Sequence, residues 1–310
     1  MLSPDPKPLR GIALKVSSVI AFTLMAALIK AAGRVPAGEI VFFRSFFAIL
    51  PIITYLLFTG TLATALKTND PFGHIWRGFI GVSAMGFGFY AITRLPLPEV
   101  TALGYASPLF VVLLSALFLH EKVRIYRWSA VLVGLAGVII ISWPRLTVFN
   151  SGAGATETLG AAATIAGAFL AAIAMLIVRR LVRTEDTQTI VLYFSITASL
   201  FALLTVPFGW VALNPSQAMM LMTAGMIGGV AQILLTESYR HAEASVLAPF
   251  EYASILLAIL LGYFVFAETP TAYTLTGSAI VVAAGIFIIW RERQLGLQRG
   301  QAKAAAPPSA

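Results

Sequence analysis

Apolar segments of about 18 to 24 residues recur along this chain, and short polar connections separate them. A helix of about 20 apolar residues is long enough to cross the ~30 Å hydrocarbon core of a bilayer. The pattern therefore predicts an all-α polytopic membrane protein with ten transmembrane helices, here called spans 1 to 10. The predicted spans cover residues 11–32, 38–59, 76–94, 98–120, 126–143, 159–180, 187–209, 217–239, 244–266 and 272–290.

Composition agrees with this interpretation. Hydrophobic residues make up 59% and charged residues 11% of the 310 positions, which excludes a soluble globular domain. The aspartates Asp5, Asp70 and Asp186 all fall in predicted tails or loops, where a spanning chain keeps groups that are costly in hydrocarbon. The net charge of +8 comes from Lys and Arg in the connections, so membrane topology explains it better than nucleic-acid binding.

The distribution of basic residues predicts the orientation. Most of the 21 Lys and Arg residues, Arg77 among them, fall on one side of the predicted spans, and basic loops are retained in the cytoplasm. Lys15 and Arg44 lie within predicted spans. We therefore expect both termini in the cytoplasm. From Gln294 onward the chain shows no apolar period, so residues 291–310 are predicted to be a disordered cytoplasmic tail.

A repeat divides the chain into two halves. Tyr105-Ala106-Ser107 recurs as Tyr252-Ala253-Ser254, and a segment at 40–45 resembles the segment at 190–195 at nearly the same offset. The halves are predicted at residues 11–143 and 157–290, with five spans each. Five is an odd number, so the second half must enter the membrane from the opposite side. Such an inverted repeat lets a central site face each side of the membrane in turn.

A longer signature carries a family resemblance. Residues 90–110, then Leu119-His120-Glu121-Lys122 and the glycines of span 5, resemble the EamA-type branch of the drug/metabolite transporter superfamily. The second half repeats this signature at residues 248–254. The resemblance covers residues 11–290. It implies ten helices and transport of a small molecule, and overall likeness is greatest to bacterial riboflavin transporters, with S-adenosylmethionine and amino-acid carriers next.

Two ionisable residues within spans are candidates for substrate binding, because a charged group in hydrocarbon is costly and is usually functional. Arg44 lies ~9 Å into span 2 at helical rise, and it is interpreted either as a ligand for an anionic or carbonyl-bearing substrate or as a structural ion pair or snorkelling side chain. Glu251 follows Pro249 in span 9, where a proline breaks the helix. It is interpreted as a cavity-facing carboxylate, or as a structural partner of Arg44 or Lys15.

Aromatic residues supply further candidates. Tyr90, Tyr105 and Tyr252 are predicted to contact the substrate, since a flat ring can stack on them, although most aromatics in membrane helices pack or face lipid. The repeat would place Tyr105 and Tyr252 at equivalent positions.

A charged cluster joins spans 8 and 9. Glu237, Arg240 and His241 are interpreted either as a gate of salt bridges or as a solvated turn. Glu99, Glu121 and Glu268 lie at helix ends, where a structural role is expected.

Other classes fit poorly. A membrane-embedded transferase needs paired aspartates or a His-Asp constellation, and neither is evident; His74, His120 and His241 lack the spacing of metal ligands. No nucleotide-binding glycine loop is found. We therefore expect no enzymatic activity, metal, cofactor or nucleic-acid partner. The expectation is a gradient-driven or passive transporter in a bacterial inner membrane, with riboflavin uptake first and carriage or export of amino acids, S-adenosylmethionine or drugs as alternatives. Import, export and the formation of a homodimer stay open.

Overall fold

The computed structural model describes residues 8–118, 125–148, 155–182, 184–241 and 247–304, and these residues form helices joined by short connections. The helices are α1 (Pro8–Ala31), α2 (Ala37–Phe58), α3 (Leu62–Ala65), α4 (Pro71–Ile92), α5 (Leu97–Gly104), α6 (Ala106–Phe118), α7 (Ile125–Val148), α8 (Ala155–Leu181), α9 (Thr187–Leu203), α10 (Pro215–His241), α11 (Ala253–Phe266) and α12 (Ala272–Ala304). Short 3-10 turns cover Val206–Phe208 and Ala248–Tyr252.

These elements reproduce the ten predicted spans. Seven of the described helical stretches are long and apolar enough to cross a membrane, and three shorter apolar helices complete the set. The shorter ones cover Trp128–Trp143, Thr187–Leu203 and Phe250–Phe266. The prediction of an all-α polytopic membrane protein is confirmed, with α5 and α6 forming span 4 and the second 3-10 turn with α11 forming span 9.

Several boundaries differ from the prediction, among them the end of span 7, where α9 stops at Leu203 rather than at residue 209, the start of span 3 and the end of span 10. Span 3 begins at Pro71 rather than at residue 76, because the Asp70 side chain accepts a hydrogen bond from the Gly73 amide and Pro71 occupies the first turn. The tail predicted to be disordered from Gln294 is helical as far as Ala304. Its Gln, Leu, Arg, Lys and Ala residues are good helix formers, so α12 continues beyond its apolar part.

Spans 4 and 9 are both broken, and the breaks lie at the repeated Tyr-Ala-Ser motif. In span 4 the helix stops at Gly104 and restarts at Ala106, because Pro108 cannot donate a hydrogen bond to the Gly104 carbonyl. In span 9 the 3-10 turn, with Pro249 near its start, gives way to α11 at Ala253. The break in span 9 was expected from Pro249, whereas the sequence analysis treated span 4 as continuous.

The two halves pack against each other in symmetric pairs. Helix α1 packs on α10 and its counterpart α8 packs on α4, while α7 packs on α12. Glycine allows the close approach of α10 to α2, since a β-carbon at Gly229 would lie 2.7 Å from the Ala48 carbonyl oxygen. Gly137 and Gly277 meet in the same way between α7 and α12. The fold is therefore two five-span halves of opposite orientation, whose equivalent helices make equivalent contacts.

Candidate functional site

The centre of the candidate site is the place where the two broken spans meet. The Tyr105 hydroxyl donates a hydrogen bond to the Glu251 carbonyl oxygen at 2.5 Å and lies 2.7 Å from the Ser254 hydroxyl oxygen. The rings of Tyr105 and Tyr252 are 4.8 Å apart. The two motif tyrosines, equivalent by sequence, are thus in contact across the two halves.

Unwound backbone gives this meeting point its polarity. A helix break releases carbonyl groups from the helical hydrogen-bond ladder, and non-helical backbone at membrane depth occurs where protein or a water-filled cavity surrounds it. Tyr105 uses one such carbonyl, that of Glu251. Gly285 of α12 makes room on the other side, because a β-carbon there would overlap the Tyr252 hydroxyl.

Lys15 and Glu251 form an ion pair beside the tyrosines. The Nζ atom of Lys15 lies 3.4 Å from a carboxylate oxygen of Glu251. Lys15 belongs to α1 of the first half and its side chain is 1% exposed, whereas the Glu251 side chain is 52% exposed. The pair therefore joins a buried cation to a carboxylate that solvent or a ligand can reach.

Arg44 lies away from this pair. Arg44 lies on α2 and is 6% exposed. It packs near Gly228 of α10, where an added β-carbon would lie 3.6 Å from the Arg44 Nε atom. Met25 of α1 packs on the same glycine. Glu251 pairs with Lys15 and not with Arg44.

Arg77 is a functional candidate that the sequence analysis missed, because span 3 was predicted to begin at residue 76. With α4 starting at Pro71, Arg77 lies about two turns inside the span. Its guanidinium group stacks on the Phe194 ring of α9 at 4.1 Å. The Asp70-Pro71 pair, a typical helix start, was the signal that could have moved the boundary.

The remaining candidate residues lie elsewhere. Tyr90 is near the end of α4, where the Arg94 guanidinium stacks on its ring at 3.6 Å. The Glu237 carboxylate accepts a hydrogen bond from the Tyr55 hydroxyl, which ties α10 to α2. His241 ends α10, partly buried. The side chain of Arg240 and all of Glu121 and His120 lie outside the described residues.

A polar cluster closes one end of the bundle. Lys30, near the end of α1, lies 2.7 Å from the Glu268 carboxylate and donates a hydrogen bond to the Leu95 carbonyl at 2.6 Å. The second oxygen of Glu268 accepts a hydrogen bond from the Leu97 amide. We call Lys30, Glu268 and these two backbone groups the Lys30 latch. It links α1, the start of α5 and the end of span 9.

A second cluster, the Glu185 latch, lies at the opposite end. Glu185, in the connection between α8 and α9, accepts hydrogen bonds from the Asn69 and Asp70 amides and from the Thr68 hydroxyl. Burial of the carboxylate opposes ionisation, but these hydrogen bonds and the nearby His74 outweigh it, so the pKa of Glu185 lies below its usual value. The latch joins the connection between α8 and α9 in the second half to the segment that precedes α4 in the first half.

Comparison with known proteins identifies the family. The model of the EamA-like transporter family matches residues 9–143 and again 158–291. The chain belongs to the EamA-like transporter family. One family model thus matches this EamA protein twice. A solved crystal structure aligns with a TM-score of 0.63 and 20% sequence identity, over 89% of this chain and 96% of that one, which shows a shared fold.

Curated relatives of this EamA protein are transporters with different substrates. It is 26% identical to an S-adenosylmethionine uptake transporter of Rickettsia prowazekii, with 92% of this chain and 94% of the relative covered. It is 32% identical to the pseudopaline exporter CntI of Pseudomonas aeruginosa, covering 89% and 94%. It is 29% identical to a riboflavin transporter of Vibrio cholerae, covering 94% and 97%.

The centre brings charged, hydroxyl and aromatic groups of the two halves together. Among the described residues, no group of three or more His, Asp and Glu side chains could hold a metal ion. What the centre offers is an ion pair with one reachable partner, a hydroxyl network and two aromatic rings, all contributed by both halves. Groups of these kinds can form ion pairs, hydrogen bonds and ring contacts with a polar or aromatic molecule.

Proposed function

We propose that this EamA protein is a secondary transporter that moves a small organic metabolite across the membrane at the junction of its two halves. The observation that carries the proposal is the meeting of the two broken spans, where Tyr105 of one half hydrogen-bonds to Ser254 and the Glu251 backbone of the other. The ion pair, the hydrogen bonds of Tyr105 and the contact of the two tyrosine rings all cross between the halves, so relative motion of the halves would change the site.

The halves taken as moving units are residues 11–143 and 157–290. The Lys30 latch and the Glu185 latch lie at opposite ends of the bundle, so opening one while keeping the other closed would expose the centre to one side. The sequence contains no nucleotide-binding glycine loop, so transport is proposed to be driven by a gradient of the substrate or of an ion.

Glu251 is the proposed proton carrier. Its carboxylate is half exposed next to buried Lys15, and protonation would release Lys15 from the ion pair. In vesicles, Glu251→Gln should still exchange substrate across the membrane but should no longer accumulate it in response to a pH gradient. An unchanged response to the gradient would remove Glu251 from coupling.

The substrate is tested directly. Riboflavin uptake is the first candidate from overall likeness, and S-adenosylmethionine uptake and the export of a metabolite such as pseudopaline follow from the relatives. A riboflavin-auxotrophic bacterium expressing this chain should grow on limiting riboflavin if the first candidate is right. If the bacterium does not grow although the protein is present in the membrane, S-adenosylmethionine becomes the proposed substrate. Uptake of labelled S-adenosylmethionine then tests that proposal.

Orientation completes the proposal, with both termini in the cytoplasm of a bacterium. Because the chain contains no cysteine, single introduced cysteines report on one position at a time. A cysteine at Arg180 should be protected from an impermeant thiol reagent in intact cells, and a cysteine at Arg34 should react. The reverse pattern would invert the proposed topology.

A further inference from the structure

In the described part of the chain, Arg44, which is buried, and Arg77, which is partly buried, form no ion pair with a carboxylate. Arg44 is 6% exposed, and its Nε atom has no hydrogen-bond partner in the described part of the chain. The same holds for the Nε and Nη1 atoms of Arg77. Within the described ranges, neither guanidinium group forms an ion pair with a carboxylate, although the structure does show such pairs for Lys15 and Lys30.

The two arginines lie on neighbouring helices, since α2, which carries Arg44, packs against α4, which carries Arg77. Two like charges in a low-dielectric setting repel strongly, and burial adds a cost for each. This cost has to be offset by something that the described side chains do not supply.

The surroundings of Arg77 hold it in place and leave N–H groups available. Phe194 covers one face of its guanidinium group, a favourable contact for a desolvated cation. Gly81 provides the space, because a β-carbon there would collide with Nη1 of Arg77. An arginine has five N–H donors, and a ring contact satisfies none of them as a hydrogen bond. Snorkelling does not explain Arg77, since two of its nitrogens are buried.

We propose that Arg44 and Arg77 together bind a carboxylate or phosphate group of the transported molecule. The planar fork of arginine matches both groups, and one such anion between two guanidinium groups would supply the missing charge and the missing acceptors. The inference rests on the proposed function, since the anion is assigned to the substrate.

The position of the arginine pair relative to the centre adds a length requirement. Met25, which packs beside Gly228 near Arg44, is ten residues after Lys15 on α1, or ~15 Å along the helix. One extended molecule could therefore contact both the arginine pair and the Lys15–Glu251 pair. Free riboflavin has no carboxylate or phosphate, so this inference favours an acidic metabolite over it.

Binding of simple anions to the purified full-length chain tests the inference without knowledge of the substrate. The melting temperature is measured against inorganic phosphate and against acetate, at constant ionic strength set with chloride. Phosphate or acetate should stabilise the wild type more than chloride does. Arg44→Gln and Arg77→Gln should each weaken that effect at least about tenfold in apparent Kd, whereas Arg180→Gln, at an exposed position, should not change it.

The melting temperature without added anion gives a second and opposite readout. If the arginines repel each other, each Gln variant should melt at or above the wild-type temperature; if they were structural ion pairs, each should melt below it. Wild-type protein that responds to phosphate and acetate no more than to chloride would overturn the inference. Lys substitutions, which keep the charge but lose the fork, serve if a Gln variant does not fold.

This outcome is separable from that of the proposed function. Transport that depends on Lys15 and Glu251 while the anions have no specific effect would reject the arginine site and leave the transporter proposal intact. Anion binding that depends on Arg44 and Arg77 in a protein without transport activity would support the arginine site and reject the transporter proposal.

Discussion

The two halves of this protein share a helix order but differ in the charges that they carry inside the membrane. Helices α1, α2 and α4 of the first half contribute Lys15, Arg44 and Arg77. At the position that corresponds to Arg44 in the repeat, the second half has Phe194, whose ring supports Arg77. The carboxylate that faces Lys15 comes from the second half. A symmetric scaffold therefore carries an asymmetric site.

The broken spans show the same contrast between shared shape and different cause. Both breaks lie at the Tyr-Ala-Ser motif, but Pro108 follows the motif in span 4 and Pro249 precedes it in span 9. The hydroxyl of Tyr105 bonds to the other half, while that of Tyr252 packs at Gly285. The comparison teaches that the two halves break a span at the same sequence motif, while the side chains around the two breaks make different contacts.

The largest effect is expected from removing the ion pair between the halves. Glu251→Gln removes the carboxylate that pairs with buried Lys15. Breaking a fully buried ion pair costs ~3–5 kcal/mol of stability, and the exposure of Glu251 should reduce this cost to about 1–2 kcal/mol. The melting temperature should therefore fall by about 2–6 °C. The double variant Lys15→Met/Glu251→Gln should regain most of that loss without regaining coupled transport. Asp186→Asn, at an exposed carboxylate, is the control, and equal melting of single and double variants would contradict the pairing.

A smaller effect should separate the two equivalent tyrosines. Tyr105→Phe removes two hydrogen bonds across the halves, each worth ~0.7 kcal/mol and together ~1.4 kcal/mol, so transport should fall about tenfold. Tyr252→Phe keeps the ring contact and the hydrogen bonds of Tyr105, so the transport rate of this variant should fall less. Initial rates in vesicles measure both. If the two variants were equally impaired, the proposed divergence of the motif tyrosines would be wrong.

The Lys30 latch should bias which side of the protein opens. Lys30→Ala removes the partner of Glu268, which is worth about 1 kcal/mol for a partly buried pair, so the open population at this end should rise about fivefold. Labelling of a cysteine introduced at Leu28 is the measurement, with Arg34→Ala as the matched control at an exposed position. Unchanged labelling would show that the latch does not limit opening.

The smallest expected effect is the pH dependence of the Glu185 latch. The folded-state pKa of Glu185 is below its usual value, so its stabilising contribution is present above the unfolded pKa of ~4.5 and is lost as pH falls through the folded pKa. Glu185→Gln should therefore lower the melting temperature by a few degrees at pH 7, and this difference should shrink as the pH falls below ~4.5 through the folded-state pKa. If the difference in melting temperature between wild type and Glu185→Gln grew towards acid pH, the lowered pKa of Glu185 would not be the cause of its stabilising effect.

The sequence by itself determined the number of spans, their approximate positions and the duplication. These depend on local properties, namely the length of an apolar run and the recurrence of a motif, and each is readable without knowing what packs where. It also marked Arg44, Glu251, Tyr105 and Tyr252, because a charge or a repeated tyrosine is conspicuous in an apolar segment.

Only the tertiary structure decided how these residues are grouped. Glu251 had two candidate partners in the sequence, and packing of α1 against the 3-10 turn selected Lys15. Arg77 became a residue of the interior only when its helix was seen to start at Pro71. Pairing of charges depends on helix rotation and on contacts between distant segments, and an apolar pattern that is nearly uniform around each span carries little information about either.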